Sequence, residues 1–302
     1  MSKVGVQSPS LVSIIIPTYN HAKYLKIALD SVVSQDYTNW EAVVINNYST
    51  DNTEEVVRSF YDDRIKLVNY KNNGIIGASR NVGISFSKGE WVAFLDSDDV
   101  WCPKKLSICM SFVDADVELI AHALHWIGDL DRIVHPGPAK RAKFSGLLYQ
   151  GSCLTPSGVM VRKTELEKVG LFTEDPEIVG AEDYHLWLKL AQNKINMKFI
   201  LGVYGQYRIH KGNESKNIER LLNANLKIMT EFEIVQNDNF GEIAKKRLRY
   251  ATIYYGAARG FQLNKQYKKS LKYVAISFIK WPFLYKNYIV LLLVAYGIIF
   301  QK

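Results

Sequence analysis

A chain of 302 residues that is 48% hydrophobic and 23% charged can bury a sizeable core, as one large domain or two modest ones, and is not a disordered polymer. Its three cysteines, Cys102, Cys109 and Cys153, contain no CxxC pair and are odd in number, which argues against a disulfide framework or zinc site and for a reducing compartment. The net charge of +8 is uneven: residues 241–302 hold 12 Lys or Arg against one acid, Glu242, whereas residues 1–240 are slightly negative, so an anionic surface is the expected partner, membrane or nucleic acid.

The first ten residues lack the long apolar stretch of a signal peptide, so export is not expected. Val12-Ser13-Ile14-Ile15-Ile16, stopped by Pro17, reads as a buried strand. Tyr24 to Val33 carries apolar residues at helical spacing. Ala42-Val43-Val44-Ile45 is a second strand, and Thr53 to Phe60 a helix with Asp51 or Asn52 near its N-cap. Ile65-Lys66-Leu67-Val68 alternates as a third strand, Gly77 to Ser87 forms a helix, and Trp91 to Leu95 is the next strand. Strand and helix in turn predict an α/β fold with a mostly parallel sheet covered on both faces.

Ligands of such sheets bind beyond the carboxyl ends of the strands. Polar clusters fall there: Thr18-Tyr19-Asn20, Asn46-Asn47-Tyr48-Ser49 and the acidic turn Asp96-Ser97-Asp98-Asp99. Three adjacent carboxylates repel unless a cation offsets them, and oxygen-only ligands favour Mg²⁺ or Mn²⁺, which bridge carboxylates to phosphates. A solvated acidic turn capping the next helix is the alternative. No GxGxxG follows the first strand, which argues against a dinucleotide-binding oxidoreductase.

Gly128 to Ser157, with Pro136, Gly137, Pro138 and Gly146, reads as a mobile loop where specificity would reside. Ile218, Leu222, Leu226, Met229 and Phe232 lie on one helix face, and Ala244, Leu248, Ala251, Tyr255 and Ala258 repeat the pattern. Tyr267 to Lys280 gives another helix, ended by Pro282; residues 248–282 have the look of a tetratricopeptide-like hairpin in a single copy. Tyr288 to Phe300 is 13 residues without charge or amide, short of the ~20 needed to span a bilayer. Flanked by Lys286, Lys302 and several aromatics, it suits a segment lying in a membrane interface, or else a buried core helix.

The chain resembles a family-2 glycosyltransferase of the GT-A fold. The opening strand through Asn20, Ser79-Arg80-Asn81-Val82-Gly83, Lys88 through Asp99 with its DxD, Glu182-Asp183-Tyr184-His185-Leu186-Trp187 and Tyr207-Arg208-Ile209-His210 carry the likeness, in order, over about residues 11–215. The resemblance implies a catalytic domain over 1–215 and a basic helical region over 216–302 with an apolar, membrane-associating end. It implies an inverting enzyme moving one sugar from a nucleotide-diphosphate donor, UDP-linked, to a glycan or lipid-linked acceptor at the cytoplasmic membrane face, without nucleic acid.

By the same resemblance Asp98 ligates Mn²⁺ or Mg²⁺, with Asp96 on the ribose or a metal-bound water. Asp183 is the general base, and Glu182 contacts the acceptor; the alternative for this pair is a helix N-terminal cap. Pro17, Thr18, Tyr19, Asn47 and Ser97 border the donor nucleotide. Arg80 lies near base or diphosphate, or else is an exposed helix residue, and His210 is a metal ligand or a structural histidine. One departure stands out: Asn46-Asn47-Tyr48-Ser49 replaces the family's usual Asp-Asp-Gly-Ser, keeping a carbonyl acceptor but losing charge, and Tyr48 in place of glycine predicts a different turn. No QxxRW follows Asp183, so transfer of one sugar per encounter is expected. The competing classes are a sugar nucleotidyltransferase, which would need a Gly-rich basic loop after the first strand, and a non-catalytic membrane-bound nucleotide-sugar-binding module.

Overall fold

The computed structural model describes residues 10–128, 130–210, 217–233 and 239–300. Nine strands form one sheet: β1 (Val12–Thr18), β2 (Trp40–Asn46), β3 (Ile65–Asn69), β4 (Trp91–Phe94), β5 (Val100–Trp101), β6 (Leu119–Gly128), β7 (Arg132–Val134), β8 (Val159–Arg162) and β9 (Met197–Ile209). Their order is β3-β2-β1-β4-β8-β6-β9-β5, with β7 on β6. The first four strands pair in parallel, as their alternation with helices requires. Beyond β4 the sheet is mixed: β8 runs antiparallel to both β4 and β6, β6 and β9 are parallel, and β5 and β7 pair antiparallel.

The helices are α1 (Ala22–Val33), α2 (Thr53–Arg58), α3 (Ile76–Phe86), α4 (Lys105–Ser111), α5 (Phe144–Gln150), α6 (Lys163–Lys168), α7 (Glu182–Gln192), α8 (Ile218–Glu233), α9 (Phe240–Leu263), α10 (Tyr267–Lys280) and α11 (Tyr285–Phe300). Successive strand residues face opposite sides of the sheet. Ile14, Ile16, Ala42, Val44, Trp91 and Ala93 accordingly pack with Leu25, Ala28 and Leu29 of α1. Ile15, Val43, Ile45, Val92 and Phe94 pack on the other side with Ile84 of α3 and Leu186 and Trp187 of α7. Both faces are buried, which is why these strands read as unbroken apolar runs. Gly83 lets α3 approach: a Cβ there would meet Ile15 Cγ2 at 2.5 Å and Ile45 Cδ1 at 2.7 Å.

The turns after β1 and β2 are tied together. Asn20 Oδ1 accepts from the Thr50 N–H at 2.7 Å, and Ser49 Oγ accepts from the Asn20 N–H at 2.9 Å. Asp51 serves two helices, accepting from Ala22 N–H (3.0 Å) at the start of α1 and from Thr53 N–H (3.2 Å) at the start of α2. Tyr48 has φ +53°, the left-handed conformation that glycine adopts without strain. The Tyr48 ring stands out, 59% exposed.

Gly128 to Ser157 is not a loop. It holds β7 and α5, and Leu147 and Leu148 of α5 are fully buried in the main core. The spacing of prolines and glycines suggested irregular chain, but Gly146 sits where a Cβ would meet Arg141 O at 2.4 Å, so it serves a close approach. The helical region begins as a change of element type, while packing is continuous across it. Leu222, Ile228, Met229 and Phe232 of α8 and Ile253, Ala257 and Phe261 of α9 belong to the same core as Phe94 and Trp187. α9 and α10 form an antiparallel hairpin, with Ser270 Oγ donating to Ala258 O and Ser277 Oγ to Ala251 O, both at 2.8 Å. α11 lays Val290 and Val294 on Ala258 and Val274. No described helix is long and apolar enough to cross a membrane.

Candidate active site

The C-terminal ends of β1, β2 and β4, the start of α7 and the ends of β6 and β9 surround a crevice of about 440 Å³. Pro17, Thr18, Tyr19, Asn47, Arg80, Asp96, Ser97, Asp98, Glu182 and Asp183 all line it. His210 does not line it but reaches it through Asp98, with Nε2 at 2.8 Å from Asp98 Oδ2. Residues separated by up to 166 positions in the chain are thus brought together, those at the ends of β1, β2 and β4 flagged by the strand-end rule and Arg80, Glu182 and Asp183 by the family resemblance.

Where β1 ends, Thr18 Oγ1 lies buried without a protein hydrogen-bond partner, and Thr18 lines the crevice. Asn47 Oδ1 accepts from the Asn72 N–H at 3.0 Å and leaves its amide group toward the crevice. Asn46, by contrast, is fully buried and structural: Nδ2 donates to Asn69 Oδ1 at 2.9 Å, and Oδ1 accepts from Ser49 N–H at 3.0 Å. Tyr19 is 54% exposed at the rim.

The three carboxylates of the acidic turn have separate fates. Asp96 Oδ1 accepts from Arg80 Nη2 at 2.7 Å. Asp98 faces His210, and burial, then Asp96, push its carboxyl up. Asp99 points inward, 1% exposed, accepting from Ser157 Oγ (2.5 Å) and Arg208 N–H (2.9 Å); burial, then Asp98 and Asp96, hold it well above the usual carboxylate range. Ser157 Oγ also accepts from the Asp96 N–H at 3.1 Å, so it pins the turn from β8's side. The turn is neither a solvated loop nor a helix cap.

Arg80 is not an exposed helix residue. It is 3% exposed and bridges Asp96 and Glu182 Oε1 (3.5 Å), which ties the acidic turn to α7. Glu182 is buried and accepts from Gly180 N–H at 2.7 Å. Asp183 Oδ1 accepts from Tyr184 N–H at 2.7 Å. Burial, then the neighbouring Glu182, push the Asp183 carboxyl up to about 7, with Arg80 opposing. The acids occupy the first turn of α7, where the helix dipole favours them, with Ala181 at the N-cap position, and both line the crevice.

Among the described residues no group of three His, Cys, Asp or Glu side chains is set as a ready cation cage. The donor set nevertheless fits a divalent ion that takes part of its coordination from a ligand: one carboxylate, Asp98, beside one imidazole, His210, with Asp96 near. His21, edge-on to both Tyr24 and His210 at 5.8 Å from each and hydrogen-bonded to Ser97 Oγ at 3.0 Å, lies in this corner and was not named from the sequence. Asn72 and Trp126 were missed as well, while Ser152, Leu154, Thr155 and Pro156 lie in the segment expected to be a loop and Tyr207 in the motif quoted for the resemblance, though none was named as a site residue. Asn72 follows β3, so the rule that flagged the other strand ends reaches it; Trp126 carried no such signal.

The chain matches the family model described as Glycosyl transferase family 2 over residues 13–170. It is 31% identical over 285 residues (92% of this chain, 97% of the relative) to WfgD of Escherichia coli, a UDP-Glc:alpha-D-GlcNAc-diphosphoundecaprenol beta-1,3-glucosyltransferase. WfaP of the same organism, described in the same words, is 30% identical over 212 residues, covering 68% of this chain and 80% of its own. Among solved structures, S. aureus TarS in complex with UDP-GlcNAc superimposes with a TM-score of 0.65 at 21% identity, covering 89% of this chain and 81% of that one. The mannosyltransferase PcManGT from Pyrobaculum calidifontis, with GDP-Man and Mn2+, gives 0.61 at 20%, covering 98% and 89%. At these identities the structures speak for the fold, which is GT-A. With the family model matching more than half of its length and a 31% identical relative covered almost throughout, the chain belongs to glycosyl transferase family 2 and is a glycosyltransferase.

Proposed function

We propose that this enzyme transfers one sugar, with inversion, from a UDP-sugar to a lipid-linked acceptor in surface-polysaccharide synthesis, working against the inner face of the cell membrane. The observation that carries the reading is the sharing of one crevice by Thr18 and Asn47, Asp98 with His210, and Asp183. The two E. coli relatives are named for a UDP-Glc donor and a diphosphoundecaprenol-linked acceptor, which supports both substrate classes. Family membership leaves no room for a sugar nucleotidyltransferase, and retention of Asp96, Asp98 and Asp183 speaks against a non-catalytic module.

In this reading Thr18, Tyr19 and Asn47 hold the base, and Asp98 with His210 hold Mn²⁺ or Mg²⁺, with Asp96 on the ribose or a metal-bound water. The ion supplies charge neutralisation for the departing nucleoside diphosphate. Asp183 takes the proton from the acceptor hydroxyl as that oxygen attacks the anomeric carbon, and a single displacement inverts the configuration. Arg80 keeps Asp96 and Glu182 fixed relative to each other. Residues 1–215 carry the chemistry, and residues 216–302 the attachment.

A panel of nucleotide sugars screened for metal-dependent protection against thermal unfolding tests the donor; a ligand at 100 times its dissociation constant adds about 2.7 kcal/mol of stability. UDP-sugars are expected to protect only with the cation, and protection by another nucleotide alone would redirect the reading. Asn47→Asp is expected to tighten UDP binding by about tenfold or more through a charge-assisted hydrogen bond to the base. Unchanged or weaker binding by calorimetry would move that position away from the base.

The membrane contact has a structural motive. α11 turns Val290 and Val294 inward and leaves Tyr285, Leu292, Tyr296 and Ile299 between 57% and 71% exposed, one face at helical spacing. The segment thus packs as a core helix on one side and presents apolar surface on the other, beside the excess of basic residues. Leu292→Glu with Ile299→Glu, both on the exposed face, is expected to keep the thermal midpoint and lose most binding to anionic vesicles in flotation. High salt is expected to weaken the unaltered protein only in part, since the apolar contribution is not screened. Equal flotation of both proteins would remove the attachment from α11.

A further inference from the structure

Arg132 of β7 pairs directly with Trp126 of β6, and Trp126 with Tyr207 of β9. Directly opposed residues on neighbouring strands project from the same face, so the three side chains form a row across the sheet. The Trp126 and Tyr207 rings lie 5.2 Å apart, and the Arg132 guanidinium carbon sits 4.6 Å from the centre of a Trp126 ring. Trp126 and Tyr207 line the crevice; Arg132 stands one strand further out, about 5 Å away at the backbone.

Arg132 is exposed, and among the described residues no carboxylate pairs with it. Its neighbour Asp131 is taken up by His125, with Nε2 at 2.6 Å from Oδ1. Stacking on Trp126 fixes the guanidinium plane while its N–H donors remain open. Among the described residues the crevice itself offers an anion nothing comparable: Arg80 is the single Lys or Arg lining it, and that side chain is held by Asp96 and Glu182. The rest of the charged lining is carboxylate: Asp96, Asp98, Glu182 and Asp183. An acceptor that carries a diphosphate must keep that group clear of these acids when its sugar reaches Asp183. Leu130, 46% exposed just before β7, supplies apolar surface where a lipid chain would leave the diphosphate.

We propose that Arg132, held flat on Trp126 at the crevice rim, binds the diphosphate of the lipid-linked acceptor. The proposal rests on the lipid-linked reading above and adds the residue that recognises the diphosphate. A planar guanidinium suits this role because it can donate two parallel hydrogen bonds to phosphate oxygens.

The probe is farnesyl diphosphate, titrated calorimetrically into the full chain already saturated with UDP and Mn²⁺, so that the nucleotide site is filled. Arg132→Gln is expected to weaken it about ten- to a hundredfold, Arg132→Lys to give an intermediate affinity, and UDP affinity to stay the same in both. Farnesyl monophosphate is expected to bind the unaltered chain more weakly than the diphosphate, and Leu130→Ser to narrow the preference for farnesyl diphosphate over inorganic diphosphate. In turnover with a GlcNAc-diphosphate carrying a short alkyl chain, Arg132→Gln is expected to raise the acceptor KM by the same factor. Transfer by the unaltered chain with an unchanged KM in Arg132→Gln overturns the role of Arg132 and leaves the proposed function standing. Donor hydrolysis without transfer to any lipid diphosphate, and without farnesyl diphosphate binding, overturns both.

Discussion

Asp183→Asn is expected to lower kcat by about 10²–10⁴-fold while donor affinity is retained, the usual contribution of positioned proton transfer. The physical ground is the raised carboxyl. Burial and Glu182 push it up to about 7, and Arg80, which binds Asp96 and Glu182, opposes the shift. A carboxylate of ordinary pKa is a weak base; one near 7 is matched to neutral pH. The sign follows from the role: the base must be ionised, so kcat/KM is expected to fall with unit slope as pH drops below about 7, and the residual activity of Asp183→Asn is expected to lack that limb.

The same carboxyl makes a stability forecast of opposite direction. A carboxyl whose folded pKa lies above the unfolded value favours folding while protonated, and that contribution is lost as pH rises through the folded value. Asparagine stands in for the protonated acid. Asp183→Asn is therefore expected to have a higher thermal midpoint than the unaltered protein at pH 8, with the difference vanishing toward pH 4. Loss of donor affinity together with retained transfer would assign Asp183 to the donor site instead. A lower midpoint at pH 8 would mean that the carboxylate is held by partners stronger than its burial penalty.

How far the sequence reached depended on the range of the interactions. The parallel half of the sheet was legible because each strand is buried on both faces and the helices between them carry their own period. Strand ends then drew together Thr18, Asn47 and Asp98 without knowledge of the fold. The mixed half was not legible: β8 is four residues long and pairs with β4 and β6 through contacts far apart in the chain, which leave no local pattern. Prolines and glycines between Gly128 and Ser157 suggested a loop because their close-approach role depends on distant packing, as at Gly146.

Within the site, side-chain identity fixed the chemistry but not the partners. Arg80 looked the same in sequence whether exposed or buried; its place between Asp96 and Glu182 depends on residues 16 and 102 positions away. Asp99 looked equivalent to Asp96 and Asp98, and only the arrival of Ser157 and Arg208 turns it inward. The apolar end was legible as a choice between membrane surface and core. The structure answers that one face of α11 packs, while the other stays open.

Asp98→Ala is expected to abolish measurable turnover and the cation-dependent part of donor binding, with the fold intact. Asp99 carries the structural load of the acidic turn through Ser157 and the Arg208 N–H, and Arg80 holds Asp96, so neither anchor depends on the Asp98 carboxylate. Removing it also relieves a buried carboxylate of repulsion from Asp96, which acts against destabilisation. His210 loses this carboxylate at 2.8 Å but keeps its stacking on Tyr24, with ring centres 5.3 Å apart. Thermal unfolding with and without UDP and Mn²⁺ separates the outcomes: the unaltered protein is expected to gain stability with both together, and Asp98→Ala to show no added effect of the cation. His210→Ala is expected to weaken the same cation effect less severely, since one carboxylate remains to attract the ion. Full activity of Asp98→Ala, or undiminished turnover of the unaltered enzyme in excess EDTA, would sink the assignment of this corner to a metal and leave Asp183 to act on a donor held by Arg80, Thr18 and Asn47 alone.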